Sequence, residues 1–322
     1  MQLIRFIKNW TLPVSMMAGT CVYLFFAGVE GTAPVKPLVW SLITFLTPSL
    51  IFAQLFLTFC KVDVRDFVPK VWHLWLLLFQ LATFGAVSWL LVHVDMPLNE
   101  KIVWEGAMVC LICPTATAAP VITGKLGGSA ASLTTYTLFS NFLAAVCVPL
   151  VFPLVEAQVG LTFLSAFLKI LSKVFFLLIC PFLLAQFIRL TMPRLHRFLL
   201  KYPDAAFYIW AVALAIVTGQ TIRSLAIGEA TVTEKGLIAL AALITCVAQF
   251  AVGKYIGTRY HERISAGQAL GQKNTVLAIW MAHAYLNPLS SVAPGAYVLW
   301  QNSINSYQLW KKRKRDEQGG RS

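Results

Sequence analysis

The sequence predicts an all-α polytopic membrane protein with ten transmembrane helices. Three observations carry this reading. Of 322 residues, 58% are hydrophobic and 12% charged, with a mean hydropathy of +0.72, whereas a soluble domain carries about a quarter charged residues. The apolar residues fall in runs of roughly twenty, the length a helix needs to cross hydrocarbon. The basic residues collect in alternate connections between those runs. The chain lacks the repeated alternating segments that build a membrane barrel, and nearly every residue falls in a span or a short connection, so no soluble domain is expected.

The first span covers about 11–28 and is too long for the apolar stretch of a cleaved signal peptide. After Pro34 and Pro37 the second covers 38–59, and the basic break Lys61 to Lys70 leads to the third, 71–93. Asp95 to Lys101 separates it from the fourth, 102–124. Lys125 with Gly127 and Gly128 makes a tight return, which glycine permits, into the fifth, 129–154. The sixth covers 160–189. A basic connection holding Arg189, Arg194, Arg197 and Lys201 precedes the seventh, 204–223, and the eighth covers 234–257. Arg259 and Arg263 introduce the ninth, 265–286, which Asn287-Pro288 ends. The tenth, 290–310, runs into Lys311-Lys312-Arg313-Lys314-Arg315, and 311–322 reads as a basic cytoplasmic tail.

The net charge of +13 would point a soluble protein toward nucleic acid. Here topology explains it, and no nucleic-acid partner is expected. Arg5 and Lys8, then Lys61, Arg65 and Lys70, then Lys125, the sixth–seventh and eighth–ninth connections and the tail are basic. The connections around Glu30, around Asp95 and Glu100, at Glu156, and around Glu229 and Glu234 are acidic or mixed. The two kinds alternate without a slip. The positive-inside rule then gives an even number of spans, both termini in the cytoplasm and a place in the cell (inner) membrane. The tail run either attracts anionic lipid headgroups or serves as a solvated stop-transfer anchor. Membrane lipids are the expected surroundings, with no obligate protein partner. Cys110 and Cys113 have a CxxC-like spacing, but no histidine or second pair accompanies them, so neither a metal nor a redox cofactor is expected. No nucleophile–base pair suggests an enzyme.

Two spans are interrupted. Cys113–Pro120, sequence CPTATAAP, lies in one of the most apolar regions yet holds Pro114 and Pro120 six residues apart. Proline removes a backbone donor and clashes with the preceding turn, so one unbroken helix is not expected. Irregular backbone within hydrocarbon is tolerated where it faces protein or a polar cavity. The stretch therefore reads as a broken helix whose freed carbonyls and amides line a site; the alternative is a proline kink re-bonded by its neighbours. The ninth span is irregular through Gly267-Gln268-Ala269-Leu270-Gly271-Gln272-Lys273-Asn274-Thr275. Four and nine differ by five, so ten spans divide into two sets of five. An odd set enters the membrane inverted, and paired interruptions at matching positions mark the binding site of an inverted-repeat transporter.

The runs CPTATAAPVITGKLGGSAASLTTYTLFSNFLAAVCVPL, Cys113–Leu150, and GQKNTVLAIWMAHAYLNP, Gly271–Pro288, resemble the bile acid:sodium symporter family. The resemblance implies ten helices in two inverted repeats of five, with discontinuous helices four and nine crossing. It implies a panel domain of helices one, two, six and seven (about 11–59 and 160–223) and a core of helices three to five and eight to ten (about 71–154 and 234–310). It also implies an organic-anion substrate, bound between the domains, and coupling to two sodium ions.

This sequence departs from the family pattern at the ion sites. Two glycines after Cys-Pro are Thr115-Ala116 here, and the Ser-Asn pair is Ala119-Pro120. The hydroxyl-rich stretch is kept as Thr134, Thr135, Thr137 and Ser140, followed by Asn141. In the ninth helix the glutamate two before the glycine is Ala269, and the Gln-Asn pair is Lys273-Asn274. Sodium needs several oxygen ligands, and a carboxylate helps offset its charge, so conventional sodium sites are not expected here. A buried lysine is costly and usually functional. Lys273 is expected to act as an internal cation, titrating or pairing with the substrate anion, or else to snorkel or pair structurally. The candidate substrate and ion region comprises Thr115, Thr117, Pro120, Thr134, Thr135, Thr137, Ser140, Asn141, Gln272, Lys273, Asn274 and His283, the last as a step on a proton path. Gln80, Gln249 and other polar groups in the spans are expected to bond between helices. The function this supports is sodium-independent transport of an organic anion by alternating access. The alternative is a non-transporting sensor or scaffold with the same fold.

Overall fold

The computed structural model describes residues 11–61, 68–157, 162–202, 205–227 and 231–319. Arg5, Lys8, Arg65 and Glu229, which enter the charge alternation, lie outside the described residues, as do 320–322 of the tail. Every regular element among the described residues is helical. In chain order these are α1 (Thr11–Gly28), a 3₁₀ turn (Glu30–Val35), α2 (Lys36–Cys60), α3 (Val71–His93), α4 (Leu98–Ile112), α5 (Ala119–Leu126) and α6 (Ala130–Val155). There follow α7 (Phe163–Leu178), α8 (Cys180–Thr191), α9 (Pro193–Leu200), α10 (Ala205–Ile227), α11 (Val232–Thr258), α12 (Arg263–Gly271), α13 (Thr275–Tyr285), a 3₁₀ turn (Pro288–Ser291) and α14 (Val292–Gly319).

Five helices among the described residues are long and apolar enough to cross a membrane, and the bent pair α7–α8 makes a sixth. The described helices thus show five or six of the ten expected spans. Where the fourth and ninth are expected, the chain forms two short helices each, α4 with α5 and α12 with α13, and no half reaches spanning length. Helix α14 carries Gln301, Asn302, Asn305 and Gln308 in its apolar run. The sixth span, expected to be continuous, bends by 40° around Ile179; Pro181 in the first turn of α8 cannot donate to the preceding helix. The tenth runs past its expected end at 310 to Gly319, because Lys, Arg, Glu and Gln favour helix and no proline intervenes.

Local signals set the element ends. Thr231 caps α11 by accepting from Glu234 N–H at 3.2 Å, while Glu234 Oε2 accepts from Thr231 N–H at 2.6 Å, a reciprocal capping box. The return after α5 turns on Gly127, whose φ of +90° favours a residue without Cβ. Ser129 then caps α6 through Ser132 N–H at 3.1 Å.

Contacts between connections follow the charge pattern. Lys70 pairs with Glu262, and Lys312 Nζ donates to Lys125 O at 3.0 Å; all four residues lie in basic connections or the tail. His196 on α9 bonds Cys60 O at 2.8 Å, again between basic connections. At the other end of α3, Lys101 pairs with Glu156 at 2.5 Å, joining two acidic or mixed connections.

Helices α1 and α2 pack on α10, and α2 also packs on α8; α3, α4, α11, α12 and α14 pack among themselves. The largest cluster gathers Ile51, Phe59, Phe84, Met108, Phe152 and Ile279 in the interior. The exterior is also apolar: Phe45, Trp89, Phe142, Leu164, Phe187 and Ile244 are exposed, as a lipid-facing surface requires and a water-facing one does not tolerate. Helices α11 and α12 approach most closely where small residues meet. A Cβ added at Gly253 would lie 2.5 Å from the Ala266 carbonyl oxygen. Gly253→Leu should therefore push α12 off α11. We expect a loss of roughly 1–3 kcal/mol, the usual cost of overpacking, read as a lowered apparent Tm in detergent, with Gly236→Leu, where a Cβ meets nothing within 4 Å, unchanged.

Candidate functional site

The two interruptions meet. Helix α4 stops at Ile112 because Pro114 cannot continue it, and Cys113 N–H closes the last turn on Val109 O at 3.0 Å. Residues 113–118 then pass residues 272–274 antiparallel. Thr115 and Lys273 form an isolated β-bridge. Ala116 N–H donates to Gln272 O at 2.8 Å, and Asn274 N–H donates to Pro114 O at 2.9 Å. Cys113 Sγ donates to Asn274 O at 2.9 Å. Each break thus supplies the partners the other lacks, which the absence of water in hydrocarbon demands.

The carbonyls that end the half-helices are accounted for in the same way. A helix leaves its last four carbonyls without partners and carries partial negative charge there. Beyond Val109, the α4 carbonyls accept from side chains on three other segments. Cys110 O accepts from Gln249 Nε2 at 3.3 Å, Leu111 O from Lys273 Nζ at 3.3 Å, and Ile112 O from Gln80 Nε2 at 2.9 Å. At the end of α12, Gln268 O accepts from Gln272 N–H at 3.0 Å, Ala269 O from Thr115 Oγ1 at 2.7 Å and Gly271 O from Tyr297 OH at 2.8 Å. Gln301 grips Lys273 through its backbone on both sides: Lys273 N–H donates to Oε1 at 2.8 Å, and Nε2 donates to Lys273 O at 3.3 Å.

Lys273 is 1% exposed. Its ammonium lies at the negative end of α4, among the thiols of Cys110, Cys113 and Cys246, and no carboxylate among the described residues pairs with it. The arrangement is a buried amine that donates to a backbone oxygen at a helix terminus.

The other expected residues divide. Thr115, Gln272, Lys273 and Asn274 are buried in the crossing. Asn274 caps α13 through Leu277 N–H at 3.3 Å, and Gln272 Oε1 meets no partner among the described residues. Thr117 lies half-buried in the turn before α5. Pro120 stands in the first turn of α5, where its lacking N–H costs nothing, so it begins a helix instead of holding the break open. Thr134, Thr135 and Thr137 spend their hydroxyl protons on Ala130, Ala131 and Leu133 carbonyls of their own helix. Ser140 and Tyr136 donate to Gln80 Oε1 at 3.4 and 3.0 Å, which ties α6 to the crossing. Asn141 is fully buried, and neither of its side-chain polar atoms meets a partner among the described residues. His283 lies nine residues past Asn274, roughly 13 Å along the helix, and is not part of the crossing.

Gln80 and Gln249 bond between helices as expected. Tyr297 and Gln301 were not anticipated at the site. Their signal is the spacing of Tyr297, Gln301 and Asn305, four residues apart on one face of an apolar helix. A cavity of about 940 Å³ opens beyond α13, lined by Phe52, Lys173, Phe176, Trp280 and Tyr285 among others.

Gln301→Leu should cost about 1–3 kcal/mol by leaving the Lys273 amide and carbonyl unpaired in the interior. Gln308→Leu, on the same helix with an Nε2 that meets no partner among the described residues, should leave the apparent Tm unchanged or raise it. Thermal unfolding of both variants in one detergent checks the difference.

Comparison with known proteins agrees with the fold. Residues 48–228 match the Sodium Bile acid symporter family, which takes in the first motif run and most of the first seven expected spans. The uncharacterized sodium-dependent transporter YocS of Bacillus subtilis (strain 168) is 24% identical over 279 residues, 82% of this chain and 81% of that protein. Sodium/bile acid cotransporter 7-A of Xenopus laevis is 28% identical over 165 residues, 50% of this chain and 46% of that protein. Sodium/bile acid cotransporter 7 of Xenopus tropicalis is 26% identical over 193 residues, 58% and 53% of the two chains. The matches to these cotransporters thus span about half their length. The chain is an integral membrane protein of the sodium bile acid symporter family, whose members are transporters and not enzymes.

Proposed function

We propose that this protein is a secondary transporter of an organic anion that works without sodium, with Lys273 as a fixed internal cation. The observation that carries this is the Lys273 ammonium on Leu111 O at the end of α4. It is a positive charge among backbone oxygens, next to Ala269 where the resemblance calls for a glutamate. An ion there would face the ammonium and find no carboxylate to offset its own charge.

The architecture we infer is ten spans in two inverted repeats of five. The two short-helix pairs count as spans four and nine, and the bent pair α7–α8 counts as six. The side-by-side contacts of Lys70 with Glu262 and of Lys101 with Glu156 support this count, because each joins connections that the alternation assigns to one side. Both termini then lie in the cytoplasm and the protein in the cell (inner) membrane. Helices α1, α2, α7, α8 and α10 form a panel that rocks against the remaining core, giving alternating access around a fixed crossing. The substrate space is the cavity of about 940 Å³, within the range of small-molecule sites. Its aromatic wall of Phe52, Phe176, Trp280 and Tyr285 suits a flat apolar body, and Lys173 suits an acid group. A sensor that had abandoned transport would be expected to fill this space with side chains.

Uptake of labelled taurocholate into proteoliposomes, with sodium or with choline as the external cation, tests the proposal. Wild type should transport equally in both. Lys273→Met should lose at least about tenfold in rate, equivalent to roughly 1.4 kcal/mol. Strong sodium dependence that survives Lys273→Met would reject the role of the lysine.

A further inference from the structure

A second charged centre lies on α4, two turns before the crossing. Glu105 is 0% exposed. Asn287 N–H donates to its Oε2 at 3.2 Å, and Oε1 meets no donor among the described residues. Within hydrogen-bonding reach lies the carboxyl group of Glu156, the residue that ends α6. Glu156 is one-third exposed at its side chain, lines the cavity of about 940 Å³ and accepts from Lys101 at 2.5 Å. Asn287, which holds Glu105, lines the same cavity.

An ionised carboxylate only accepts hydrogen bonds. Two carboxylates in contact repel, and the pair relieves this by keeping one proton, as like-charged acids sharing a site do. The charged groups acting on Glu105 are Glu156 from α6 and Lys101 from the preceding turn of α4. The 3₁₀ segment that packs on α4 carries no titratable side chain, and α3, α11, α13 and α14, which also pack there, place none on Glu105. One ammonium therefore faces two carboxyl groups.

We propose that Glu105 and Glu156 form a proton-binding site that holds one proton between two carboxyl oxygens and exchanges it with the cavity through Glu156. Loading takes one proton from cavity water onto the pair, on the side where Glu156 lines the cavity. The group of two acids and Lys101 is then neutral. Release returns the proton to water and leaves a single net negative charge on the cavity wall. On the reading of the cavity as an anion site, loading and anion binding favour each other by reciprocal linkage. The proton site itself does not depend on that reading.

Infrared spectroscopy of the full-length protein in lipid, without substrate, tests it. The wild type should show a protonated-carboxyl C=O band at neutral pH that disappears at high pH. Glu105→Gln should abolish the band, and Glu156→Gln, which breaks the pair but keeps Glu105, should shift it. If Glu105→Gln does not fold, the Glu156→Gln shift decides alone. A wild-type spectrum without the band, or a band unmoved in the variants, would overturn the proposal. Because no substrate is present, this result stands apart from success or failure of taurocholate uptake.

Discussion

Hydrocarbon offers no hydrogen bonds, so a backbone that stops being helical inside it must find its partners in the protein. The rest of this molecule is arranged around that constraint at one place. Pro114 ends α4, and the six residues after Ile112 lie against 272–274 so that each strand-like piece bonds the other. Gln80 from α3, Gln249 from α11, and Tyr297 and Gln301 from α14 converge on the same few carbonyls and amides. Four helices are fixed relative to one another because each closes part of a single donor–acceptor account.

The breaks themselves were legible in the sequence, because proline and glycine act locally and their effect does not depend on neighbours. So was the alternation of charge, because it follows from loop composition alone. The partners were only partly legible. Gln80 and Gln249 stood out as amides in apolar helices, but nothing local shows that they reach the end of the same third helix. The threonines of α6 were legible as a row of hydroxyls, but that each gives its proton to the carbonyl one turn back is a property of the helix they form. Glu105 and Glu156 are 51 positions apart in the sequence and meet only through the packing of α4 against α6.

Lys273 and Glu105 answer to the same short helix. The lysine holds the last turn of α4 through Leu111, and Glu105 lies six residues back, roughly 9 Å along the axis. One is an amine that donates at the negative end of a helix, a placement that favours its protonated form. The other is an acid in an apolar wall, where the charged form is expensive unless paired.

Helix α14 runs without interruption from Val292 to Gly319. Near its middle Gln301 clasps the Lys273 peptide, and eleven residues on, roughly 16 Å away, Lys312 is anchored on the Lys125 carbonyl at the rim. Such a rod is a lever with its fulcrum inside the protein. A tilt of the rod at Lys312 would be felt at the Lys273 peptide, because no break in the helix lies between them.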